Sequence, residues 1–96
     1  MDIKNYLPLG SIVKLKGGAR KLVIIGINQK GSNNETYDYS AVLYPYGYIN
    51  SEELFLFNNS NIDEIIYKGY CDIELEDYYD DLVWAINKEK EEKNNG

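Results

Sequence analysis

The segment Ser11-Ile12-Val13-Lys14-Leu15-Lys16-Gly17-Gly18, followed by Leu22-Val23-Ile24-Ile25-Gly26-Ile27, constrains the chain most strongly. Val13 and Leu15 alternate with Lys14 and Lys16, the period-two pattern of a strand with one buried face. The glycine pair accepts positive φ at little cost and so marks a tight reversal. The run from Leu22 is β-branched and apolar on both faces, as a central strand requires, and Gly26 marks a bulge or close backbone approach within it. The start of the chain must therefore build an antiparallel sheet.

The same reasoning extends the sheet. Gln29 to Glu35, with Gly31 and Asn33-Asn34, reads as a loop. Thr36 to Tyr44 resumes alternation, with Tyr37, Tyr39, Ala41 and Leu43 on one face. Tyr44-Pro45-Tyr46-Gly47-Tyr48 is a turn, and Leu54-Phe55-Leu56-Phe57 is a short apolar strand. Beyond Asn58-Asn59 the reading changes. Ser60 precedes Asp63 by three residues, and Ile62, Ile65 and Ile66 fall at helical spacing, predicting a short helix near 61–68 closed by Gly69. Asp72 then caps a long helix near 73–91. Leu75, Tyr78, Tyr79, Leu82, Val83 and Ile86 share its face, with acids at its start and lysines at its end.

The fold class expected is α+β in a single domain over 1–96: a small twisted antiparallel sheet or SH3-like half-barrel from about 11 to 57, then a short helix and a long C-terminal helix. The ordered core spans about 7–90, and the tail 91–96 frays. Its expected core includes Val13, Leu15, Leu22, Ile24, Val42, Leu54, Leu56, Ile65, Leu75, Leu82 and Ile86.

Composition excludes much chemistry. The chain has no histidine and one cysteine, Cys71. An intrachain disulfide, a Cys/His zinc site and histidine-dependent catalysis all fall away. The acidic pairs Glu52-Glu53, Glu76-Asp77 and Asp80-Asp81 are adjacent in sequence, and neighbours on a helix point about 100° apart, so they do not converge on a cleft. Lys16-Gly17-Gly18-Ala19-Arg20-Lys21 lacks the glycine spacing and following helix of a phosphate loop and reads as a basic hairpin turn. Cys71 reads as a passive thiol. No catalytic, cofactor-binding or metal-ligating residue is expected.

Charge is divided along the chain. Residues 1–50 hold six basic side chains against three acids; residues 51–96 hold four lysines against thirteen acids, for a net charge of −6. An acidic second half repels nucleic acid, so no nucleic-acid partner is expected. The acidity either steers a basic partner or simply maintains solubility. Met1-Asp2-Ile3-Lys4 carries no apolar export segment, and the longest aliphatic run has six residues, which predicts a cytoplasmic product with no membrane span. Signal-less specialised secretion stays open.

Ten tyrosines remain to be placed, against two phenylalanines. Some must be core, because tyrosine here supplies most of the ring volume. Tyr44, Tyr46 and Tyr48 flank Pro45 in one turn and cannot all be buried. Aromatic side chains with a polar tip suit protein interfaces. With Tyr67, Tyr70 and Trp84, the residues Tyr44, Pro45, Tyr46 and Tyr48 form the expected partner-binding set.

Three stretches carry a resemblance. They are Leu7-Pro8-Leu9-Gly10-Ser11 through Gly26, then Tyr39-Ser40-Ala41-Val42-Leu43-Tyr44-Pro45-Tyr46-Gly47, and Asn61-Ile62-Asp63-Glu64-Ile65-Ile66-Tyr67-Lys68-Gly69-Tyr70. In this order they resemble a family of small Gram-positive bacterial proteins filed as a domain of unknown function. That family is encoded beside LXG-type polymorphic toxins and type VII (Esx/WXG-type) secretion genes. The resemblance covers about residues 7–86 and implies an accessory protein that binds the N-terminal helical targeting domain of an LXG toxin, without catalytic residues or cofactor. A WxG turn is absent, since Ala85-Ile86 follows Trp84, which implies that a small helical second factor carries the export signal. Co-export with the toxin is compatible with this role. An immunity protein that neutralises the toxin's catalytic domain is the alternative, and a small RNA-binding barrel a further one. Oligomeric state is left open.

Overall fold

The computed structural model describes residues 6–95, with side chains through residue 91. Residues 7–70 form one compact unit; Tyr6 and the residues from Cys71 onward form another.

The first unit is an open five-stranded antiparallel sheet. Its strands are β1 (Ile12–Leu15), β2 (Leu22–Lys30), β3 (Thr36–Leu43), β4 (Phe55–Phe57) and β5 (Ile62–Tyr67), in spatial order β4-β3-β2-β1-β5. The expected β1–β2 hairpin forms. Gly17 takes φ +79°, and the Gly18 N–H donates to the Leu15 carbonyl at 3.0 Å. β2 runs to Lys30, further than its aliphatic run, because β3 supplies ladder partners down to Lys30↔Thr36. Gly26 does mark a bulge: the register with β3 shifts between Ile24 and Gly26. A Cβ there would overlap the Ser40 hydroxyl and the Gln29 side chain, so the position needs glycine for close approach.

The alternation in β3 holds. Leu43, Ala41, Tyr39 and Tyr37 face Leu22, Ile24, Ile27 and Gln29 in turn. Val13, Ile24, Tyr39 and Ala41 are fully buried, joined by Leu22, Val42 and Phe57. Tyr39 is the largest of these. Its ring packs on Phe57 with centroids 5.5 Å apart. Its hydroxyl accepts the Leu7 N–H at 2.8 Å and donates to Asn59 Oδ1 at 2.6 Å. A tyrosine buried with its polar tip satisfied is thus the centre of the core. Ser40 is buried too, on the opposite face of β3, and its hydroxyl donates to Gln29 Oε1 at 3.2 Å.

The expected short helix near 61–68 is instead the edge strand β5, and the sheet therefore extends to Tyr67 rather than ending at 57. The reason lies in its pairing with β1. Leu15 faces Ile62, Lys14 faces Glu64 and Val13 faces Ile65, so three residues of β1 match four of β5, with Asp63 the extra residue at the irregularity. A bulge of this kind inserts one extra residue between two that share a face. It produces the i, i+3 isoleucine spacing that otherwise denotes a helix. A second shift between Ile12 and Val13 does the same around Ile66. The preceding asparagines form only a single 3₁₀ turn, Asn59–Asn61. It is tied to β3, where Asp38 N–H donates to Asn58 Oδ1 at 2.9 Å and Asn59 N–H donates to Asp38 Oδ2 at 2.8 Å. The Asn61 carbonyl then accepts the Lys16 N–H at 2.9 Å, and the chain enters the sheet.

Edge position also explains two departures from the expected core. Leu56 on β4 and Ile65 on β5 are exposed, since edge strands lack a covering neighbour. Leu15, Leu54, Leu75, Leu82 and Ile86 are half-buried. A buried serine completes the unit. The Ser11 hydroxyl donates to the Pro8 carbonyl at 2.7 Å and accepts the Gly69 N–H at 2.9 Å, tying together segments 58 residues apart.

The second unit contains α1 (Ile73–Asn95), which runs about one turn beyond the expected 91. Asp72 does cap it, its Oδ1 accepting the Leu75 N–H at 3.1 Å. Tyr6 packs edge-on against Tyr79, centroids 5.7 Å apart, and Tyr79 lies 5.8 Å from Tyr78.

Candidate functional site

The ring-rich turn is built where β3 leaves the sheet. The Tyr44 N–H donates to the Lys21 carbonyl at 2.9 Å, which sews the turn to the end of the β1–β2 hairpin. The Tyr44–Pro45 peptide is cis, Gly47 takes φ +77°, and the Gly47 N–H returns to the Leu43 carbonyl at 2.8 Å. The backbone of the turn is thus closed on itself, and its side chains point outward. Tyr44 is 43% exposed, Tyr46 62% and Tyr48 63%.

Two cations from the hairpin lie on these rings. Lys21 Nζ is 5.5 Å from the Tyr44 centroid, and the Arg20 guanidinium carbon is 5.7 Å from that of Tyr46. Each such contact contributes about 0.5–1 kcal/mol at an exposed site. They set positive charge beside the Tyr44 and Tyr46 rings. In the second unit, Glu74, Glu76, Asp77, Asp80 and Asp81 are exposed on α1.

An apolar pocket of about 170 Å³ opens beside the turn. Leu15, Leu22, Leu43 and Phe55 wall it, with the hairpin residues Gly18 to Arg20 at its lip.

The expected partner-binding residues do not form one cluster. Tyr44, Pro45, Tyr46 and Tyr48 share the turn. Tyr67 faces Ile12 on β5, with β1 and β2 intervening before β3, and Tyr70 follows it. Both are exposed, at 58% and 77%. Trp84 belongs to α1 and is also exposed, with Lys88 Nζ 5.7 Å from its ring centroid, one turn further along the helix. Sequence reasoning did not include Arg20, Lys21 or the pocket. The doublet Arg20-Lys21 after a glycine turn was a visible signal, but the register that sets it beside Tyr44 and Tyr46 was not.

Other chemistry is sparse. Cys71 is exposed, and its Sγ lies 4.0 Å from Glu76 Oε2. Among the described residues, no group of three or more cysteine or acidic side chains is arranged to hold a metal ion. Within the same residues, no helix is long and apolar enough to cross a membrane.

Fold and surface together define a small α+β protein: an open antiparallel sheet, followed in sequence by a long C-terminal helix, with an aromatic turn beside an apolar pocket. The chain belongs to the family described as Domain of unknown function (DUF4176), which it matches over residues 6–77, the whole sheet and the start of α1. No curated protein and no solved structure matches it.

Proposed function

We propose that this protein is a non-enzymatic accessory factor, an adaptor that binds the N-terminal helical targeting domain of a type VII secreted LXG-type toxin in the cytoplasm before export. The observation that carries the reading is the Tyr44–Tyr48 turn: three exposed rings on a closed backbone, two of them under cations. Rings held in place before binding lose little freedom when a partner covers them. Aromatic residues are also the commonest interface anchors. The resemblance of the chain to proteins encoded beside such toxins is the ground for proposing a toxin targeting domain as the partner. A toxin targeting domain made of amphipathic helices offers apolar stripes for these rings.

Co-expression with the neighbouring toxin tests the reading. A complex should co-elute in size exclusion and should form with the toxin's N-terminal region alone. Separate elution refutes it. The exposed acids at the start of α1 favour a second reading, in which the protein is an immunity factor covering a basic catalytic domain. Binding confined to the toxin's C-terminal domain would select that reading instead.

A further inference from the structure

We propose that the pocket beneath the Gly18–Arg20 lip receives one bulky apolar side chain, of leucine or phenylalanine size, from a partner segment whose flanking residues are acidic. The identity of the partner rests on the adaptor reading; the chemistry of the pocket does not.

Size comes first. At about 170 Å³ the pocket is too small for a typical small-molecule site, which spans roughly 300–1,000 Å³. It is close to the roughly 150 Å³ of an apolar cavity that accepts benzene. One side chain fits; a helix does not. The walls come next. Leu22 is 4% exposed and anchored in the β1–β2–β3 ladder, so the floor is rigid, whereas Phe55 is 37% exposed and waits half in water. Covering Phe55 and the floor removes apolar surface from water, which favours an apolar occupant.

Charge specifies the flanks. None of the lining residues is acidic, and Arg20 is one of them. Arg20 and Lys21 stand on Tyr46 and Tyr44 at the same edge, in a chain whose net charge is −6. A partner segment with acids beside its anchor meets opposite charge there, which raises the association rate and sets the register. A lysine-flanked segment is repelled at the same place.

The test uses the isotope-labelled full chain and short synthetic peptides. One carries a single leucine between glutamates, a second has that leucine replaced by serine, and a third has lysine flanks. The glutamate–leucine peptide should shift the resonances of Leu22, Leu43 and Phe55 saturably, and the other two should bind at least about tenfold more weakly. Ala19→Trp fills the pocket from an exposed hairpin position and should abolish those shifts, with Ala19→Leu as a milder plug should the larger ring disturb folding. Equal binding of the serine peptide, or shifts that survive both plugs, overturns the proposal. So does concentration-dependent change at the same resonances in the free protein, since a second copy then occupies the pocket. The two readings fail separately. A toxin complex indifferent to Ala19→Trp and Ala19→Leu overturns the pocket and leaves the adaptor; peptide binding at the pocket without any toxin complex does the reverse.

Discussion

The junction at Ser11 offers the sharpest test of how the sheet unit is closed. Ser11 is fully buried, and its hydroxyl serves two backbone groups at once, the Pro8 carbonyl and the Gly69 N–H. Ser11→Ala removes both of these hydrogen bonds. The Pro8 carbonyl keeps the Ser11 N–H at 3.2 Å, so its loss is that of one ordinary hydrogen bond, about 0.5–1.5 kcal/mol. The Gly69 N–H is left without that acceptor in a half-buried site, which costs about 1–2 kcal/mol. The expected loss is therefore about 1.5–3.5 kcal/mol, a large share of a stability that for most domains is about 5–15 kcal/mol. Urea titration followed by far-UV circular dichroism measures the sum. Hydrogen exchange at the Gly69 amide reads the specific bond and should accelerate. Gly69→Ala approaches the same junction from the other side, because a Cβ there would overlap the Leu9 carbonyl oxygen. The two substitutions perturb one contact, so the double variant should lose less than the sum of the singles. A stability change under about 0.5 kcal/mol in Ser11→Ala, with Gly69 exchange unaltered, refutes this account of the closure.

Three further outcomes are expected. Gly26→Ala should destabilise the sheet by about 1–3 kcal/mol in the same titration, because its methyl meets Ser40 and Gln29 across the bulge; a neutral result contradicts the close approach. Asp72→Ala should cost about 1 kcal/mol and reduce helicity, while Asp72→Asn should retain most of the cap. Tyr46→Ala should cost no more than about 1 kcal/mol of stability, since the ring is mostly in water and loses only its exposed contact with Arg20. It should weaken a toxin complex by about 2 kcal/mol, or roughly 30-fold by calorimetry; unchanged affinity removes the turn from the interface.

What was legible in advance depended on whether the determining contacts were local. The β1–β2 hairpin follows from alternation and two glycines, and Asp72 announces α1 by a hydrogen bond made within its own first turn. The tyrosine turn could be placed for the same reason, since proline and glycine act on their own backbone. Its use of Arg20 and Lys21 could not, because those side chains reach it across the register of β2 and β3. Tyr39 shows a related gap. Nothing in its local pattern separates it from Tyr37, yet one ring is fully buried and the other is half-exposed, according to what β4 and the 59–61 turn lay over each.

By itself, then, the order of residues determined the antiparallel meander, the capped C-terminal helix and the surplus of rings that a small core cannot absorb. Tertiary structure alone decided that the isoleucines of 62–66 form an edge strand. Their spacing satisfies a helix as well as a bulged strand, and only the unfilled hydrogen-bonding edge of β1 selects between them. The pocket was decided in the same way, for its four walls come from four different strands and meet only once the sheet has closed its register.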